Sequence, residues 1–121
     1  MRTLALSPHA DDVEIGMAGS LCKFANDGDE IKILTAIVPC EHIDGTSDSD
    51  FKEKRRREQE KSAKLLGAEL DILDLDPYKF APDREHIKMF DKIINDYSPD
   101  RIFTCWTLSS FRCELLFLQD P

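Results

Sequence analysis

The stretch Pro8-His9-Ala10-Asp11-Asp12 concentrates one imidazole and two carboxylates within four residues. A borderline divalent metal such as zinc takes imidazole nitrogen and carboxylate oxygen as ligands. His9 and Asp12 lie three residues apart on what reads as a tight turn, so both can reach one ion. Asp11, between them, can then face the ion's water and remove its proton. A catalytic zinc keeps an open position for that water and brings its pKa towards neutrality. The competing reading is purely structural, because aspartate is also a favoured N-cap for a following helix.

These residues need a scaffold that presents them at the end of a strand. Residues 3–7 read as a short buried strand, and residues 13–26 carry apolar side chains at helical spacing, closed by Asp27-Gly28. Residues 31–38 form an apolar, β-branched run, which is a second buried strand. The polar residues 39–50 read as a surface loop. A helix follows over 51–66 and stops at Gly67, where glycine can take a left-handed cap. Residues 69–75 are a third strand, 83–97 a third helix with Ile87, Phe90, Ile93 and Ile94 on one face, and 101–106 a fourth strand.

The alternation β-α-β-α-β-α-β predicts an α/β, Rossmann-like three-layer sandwich with a mainly parallel sheet. In strand order 3-2-1-4, the first and fourth strands meet where the winding reverses. Ligands bind there, beyond the carboxyl ends of the strands. The site is therefore expected between the turn at residues 8–12 and the segment at 107–114. Gly16 and Gly19 fall inside the first helix rather than in a G-x-G-x-x-G turn, which argues against a dinucleotide site.

A chain of 121 residues is at most one domain. Its net charge of −8 argues against a nucleic-acid or membrane-surface partner, which would favour a basic face. The one basic cluster, Lys52 to Arg57, is followed by Glu58 and Glu60 and reads as a solvated helix face. No apolar run approaches the length of a membrane span, and the first six residues read as a strand rather than a signal peptide. Cys22, Cys40, Cys105 and Cys113 form no C-x-x-C pair, so reduced, mostly buried thiols and a cytoplasmic location are expected.

The run from Pro8 to Leu21 resembles the opening motif of the PIG-L/LmbE-like deacetylases, (A/S)-H-P-D-D-x-E-x-x-x-G-G. Ala10 replaces the usual proline and Ala18 the first glycine of the pair. The resemblance continues in Arg55-Arg56-Arg57-Glu58 and Ala63-Lys64-Leu65-Leu66-Gly67, similar to an R-x-x-E…A-x-x-L-G helix. It extends to Pro99-Asp100-Arg101-Ile102-Phe103-Thr104, similar to a P-D-x-I-F-T strand. It implies a zinc-dependent hydrolase that removes an acetyl group from an N-acetylglucosamine-type sugar. Carried over position by position, His9 and Asp12 bind the metal, Asp11 is the general base and Arg55 lies near the substrate. The partner implied is a small amino-sugar substrate.

The resemblance fades after Thr104. The family's second half-site, T-H-x-x-x-D-x-H-x-D-H, supplies a third ligand, whereas this chain has Cys105, Phe111 and Glu114 where histidines are expected and Cys113 at the aspartate. The single domain over 1–121 is thus read as incomplete, or truncated, after about residue 104. Three accounts are open: a degenerate or out-of-frame ending, a third ligand from Glu114 or Cys113, or a partner subunit that completes the site. A catalytically inactive member acting as a binding or subunit module is the alternative function. A sheet ending at the fourth strand would leave an edge, so a homo-oligomer is expected. His42 and His86 read as a solvated loop residue and an exposed helix residue, and Trp106 as either a sugar-stacking or a packing residue.

Overall fold

The computed structural model describes residues 1–38, 49–105 and 115–118. Strand β1 (Arg2–His9) leads into helix α1 (Asp12–Asn26), then β2 (Glu30–Ile37), α2 (Ser49–Leu66), β3 (Ala68–Ile72), α3 (Arg84–Tyr97), β4 (Arg101–Cys105) and β5 (Leu115–Leu118). The sheet order is β3-β2-β1-β4-β5. The first four strands pair in parallel, in the order 3-2-1-4 expected from the alternation. The fifth pairs antiparallel with β4, Phe103 standing opposite Phe117. Residues 115–118 were expected to be a tail beyond the last strand, so the edge of β4 is covered rather than open.

Side chains alternate across β1 and sort the core into two halves. Ala5 with Ile31, Ile33 and Phe103 packs under α1 and α2, against Val13, Met17, Leu21 and Ala63. Leu4 and Leu34 face the other way and pack with Tyr97, Phe90, Ile93 and Ile94 of α3. Helices therefore cover both sheet faces, which makes three layers. The α1/α2 face changes character along its length. It is apolar at Ala5 and Ile33, then polar at Ser7 and Thr35, which pair in register at the carboxyl end and are 1% and 0% exposed.

The ends of several elements differ from expectation. β3 stops at Ile72 rather than running to residue 75, because Asp74 adopts a left-handed φ of 53°. Aspartate tolerates that conformation better than most residues. Gly67, by contrast, ends α2 as expected, with φ 73°. The third helix starts behind Asp83, whose side chain accepts a hydrogen bond from the His86 backbone.

Candidate functional site

β1 is the strand between β2 and β4, so its carboxyl end opens at the point where the winding reverses. Pro8 and His9 end the strand, and α1 begins at Asp12. Asp11 occupies the N-cap position but makes no capping hydrogen bond with its side chain. The hydroxyl of Ser7 takes that role from within the sheet. It accepts from the Val13 backbone N–H at 3.4 Å and donates to the His9 carbonyl at 2.5 Å. One buried serine thus fixes both ends of the turn, which frees the two aspartates.

Asp12 folds back onto the strand end. Its Oδ2 accepts the His9 backbone N–H at 2.8 Å and lies 3.2 Å from His9 Nδ1. The hydrogen bond from Asp12 lifts the His9 imidazole above its ordinary pKa of 6.5; burial opposes this, and the charges of Asp12 and Asp11 add to it. Burial would raise the Asp12 carboxyl, but the hydrogen bonds from the His9 ring and backbone outweigh it and hold the group below its ordinary value. The two donor atoms also suit a metal. Ligand bonds of about 2.0 Å to a tetrahedral zinc put neighbouring donors about 3.3 Å apart. The turn therefore fits two ligand positions. Among the described residues, no cluster of three histidine, cysteine, aspartate or glutamate side chains could hold a metal ion. Glu114 and Cys113, the expected third-ligand candidates, lie outside the described residues, as do His42 and Trp106.

Asp11 points to α2. Its Oδ2 meets Arg55 Nη2 at 3.0 Å, and Arg55 Nη1 meets Glu58 Oε2 at 3.1 Å. Arg55, expected near the substrate, is thus brought directly to the expected base. Two further members of the basic cluster are more engaged than a solvated face, while Lys54 and Arg57 are exposed as expected. Lys52 Nζ and Arg56 Nη2 both reach Asp74, at 2.7 and 3.5 Å, and tie α2 to the chain after β3. His86 departs from expectation as well. Its side chain is 17% exposed, bonds Asp83 through Nδ1 at 2.8 Å and meets the edge of the Phe80 ring.

Sequence reasoning missed four residues that shape this site: Ser7, Glu14, Thr35 and Gln59. The Thr35 hydroxyl donates to Gln59 Oε1 at 3.0 Å, and both side chains are buried. Both carboxylate oxygens of Glu14 are also shielded from solvent. Burial pushes the Glu14 carboxyl up, its own backbone N–H and then the Gln59 side chain oppose this, and the charges of Asp11 and Asp12 add to the rise. The usable signal was polarity at inward positions, a hydroxyl on each central strand and an amide one turn beyond Arg55.

Fold and turn together define an α/β protein that brings an imidazole and two carboxylates to its switch point. The chain belongs to the PIG-L family, described as GlcNAc-PI de-N-acetylase, whose model matches residues 4–110. Among solved structures, it resembles an N,N'-diacetylchitobiose deacetylase from Pyrococcus horikoshii, with 28% identity, a TM-score of 0.78, and coverage of 92% of this chain and 43% of that one. It resembles the zinc-inhibited form of the teicoplanin deacetylase Orf2 at 22% identity and TM-score 0.66, covering 87% and 56%. GalB, the 4-carboxy-2-hydroxymuconate hydratase from Pseudomonas putida KT2440, shares the fold at 17% identity and TM-score 0.80, covering 93% and 50%. The chain spans about half the length of these proteins.

Proposed function

We propose that the chain contributes the first half-site of a metal-dependent amide hydrolase, which removes the acetyl group from an N-acetylglucosamine-type sugar conjugate. The observation that carries this reading is the 3.2 Å convergence of His9 Nδ1 and Asp12 Oδ2 beside a separately held Asp11. Membership of the PIG-L family and the likeness to the diacetylchitobiose deacetylase support the substrate class. The zinc-inhibited deacetylase of the same fold supports a metal.

In this reading His9 and Asp12 hold the ion, and Glu114 or Cys113 is the candidate third ligand. A bound divalent ion supplies Lewis acidity and lowers the pKa of water. Asp11 is the base that takes the proton of the attacking water. Arg55 grips its Oδ2 and leaves Oδ1 to receive that proton. Arg55 is a positioning group at the substrate end of the site. The substrate is a small amino-sugar conjugate met in the cytoplasm, with no nucleic-acid or membrane partner.

The test is metal titration by calorimetry together with acetate release from N-acetylglucosamine conjugates. Wild-type protein binds zinc, His9→Ala and Asp12→Ala do not, and Asp11→Ala retains zinc but loses acetate release by about 10²–10⁴-fold. Protein that takes up no zinc and releases no acetate overturns the reading, and leaves an inactive member serving as a binding or subunit module.

A further inference from the structure

A second pair of polar groups crosses the α1–α2 interface one helical turn behind Asp11 and Arg55. Glu14 follows Asp11 by three residues, and Gln59 follows Arg55 by four. Side chains at those spacings share a helix face. All four line one cavity of 150 Å³, together with Ala10, Glu58 and Ser62. Both Glu14 oxygens and Gln59 Nε2 are shielded from solvent, and among the described residues none of the three atoms has a hydrogen-bond partner. The far end of Gln59 is fixed, because Thr35 on β2 holds its Oε1 at 3.0 Å. The two side chains face the same cavity, and no hydrogen bond joins them in this structure.

A buried donor and a buried acceptor left apart are each costly, and joining them relieves both. Solvent does not reach these atoms, so they make a lock between elements and not a ligand site. We infer that Glu14 and Gln59 are a positioning pair: Gln59 Nε2 donates to the Glu14 carboxylate and holds α1 and α2 at the spacing that lets Arg55 meet Asp11. Thr35 anchors the lock to the sheet. The functional weight of this pair rests on the proposed role of Asp11, but the geometry does not.

The experiment follows the Arg55 guanidinium in ¹⁵N–¹H spectra of the full chain, with signals assigned through Arg55→Lys. Ion-paired Arg55 gives separate Nη signals. Gln59→Glu faces one carboxylate with another, while Thr35 keeps an acceptor. Gln59→Met removes the donor and keeps the packing volume. Both are expected to merge the Arg55 Nη signals, and the swap Glu14→Gln with Gln59→Glu restores them. Acetate release, where wild type has it, falls at least tenfold in Gln59→Met and returns in the swap, while zinc affinity changes less than threefold. Separate Nη signals retained in Gln59→Met, or a folded swap that does not restore them, overturn the inference. Absence of acetate release from every protein, wild type included, overturns the hydrolase reading alone and leaves the spectral result standing.

Discussion

Asp11 stands at the start of α1, yet its side chain does not make the capping bond that its sequence position allowed. An N-cap aspartate turns its oxygen onto the N–H groups of the first turn. Asp11 instead reaches Arg55 across the helix interface, and Ser7 supplies the acceptor for Val13. His9 and Asp12 have opposite titration behaviour and therefore a defined window. His9 is raised above 6.5, so its share of stability is full below that pH and fades as pH climbs through the folded value. Asp12 is lowered from 3.8, so its share is present above 3.8 and is lost as pH falls through the folded value. The pair is strongest between those two limits. The Hε1 resonance of His9 in metal-free protein should titrate with a midpoint above 6.5 and move down in Asp12→Asn. A midpoint at or below 6.5 in wild type would contradict the geometry. Zinc requires the deprotonated ring, so its affinity should rise with pH through the same midpoint.

At the scale of elements, α2 does most of the positioning. It carries Arg55 to Asp11, Gln59 to Thr35, and Lys52 and Arg56 to Asp74. Its end is fixed by Gly67, whose left-handed φ of 73° suits glycine and whose added Cβ would lie 3.4 Å from that of Ala25. Space is thus adequate and conformation is the obstacle. Gly67→Ala should lower unfolding free energy by about 1–2 kcal/mol, measured by urea denaturation. This helix end was legible in the sequence because glycine after a periodic run has one physical meaning. The start of α1 was legible for the same reason, through its charged turn. The end of β3 was not, since Asp74 sits within an alternating, strand-like run and the two cations it meets lie 18 and 22 residues earlier. His86 was misjudged on similar grounds. Its helical position suggested exposure, whereas Phe80, outside the helix, covers one edge of the ring.

At the scale of the molecule, the sheet separates two cores that, among the described residues, share no side chains. Ile33 lies with α1 and α2, and Ile93 lies with α3. Ile33→Val and Ile93→Val should each cost about 0.5–1.5 kcal/mol. Their double variant should equal the sum to within about 0.5 kcal/mol, because neither touches the other's cluster. Coupling well beyond that, measured in a double-mutant cycle, would mean that the sheet transmits strain between its faces. The order 3-2-1-4 followed from strand and helix alternation, since right-handed crossovers leave few other arrangements. The antiparallel β5 did not follow, because a four-residue apolar run carries no direction and names no partner. The fold also does not name the reaction. A hydratase and deacetylases share it, so the functional argument rests on His9, Asp11 and Asp12.

The central place of β1 also sets a timetable for synthesis. Its first neighbour, β2, ends at Ile37, and its second, β4, begins only at Arg101. At a translation rate of about 5–20 residues per second, the stretch between them takes several seconds to emerge. Throughout that interval the nascent chain carries the His9–Asp12 turn on a strand with one side unpaired. His9 and Asp12 therefore leave the ribosome well before the strand that flanks the other side of their turn.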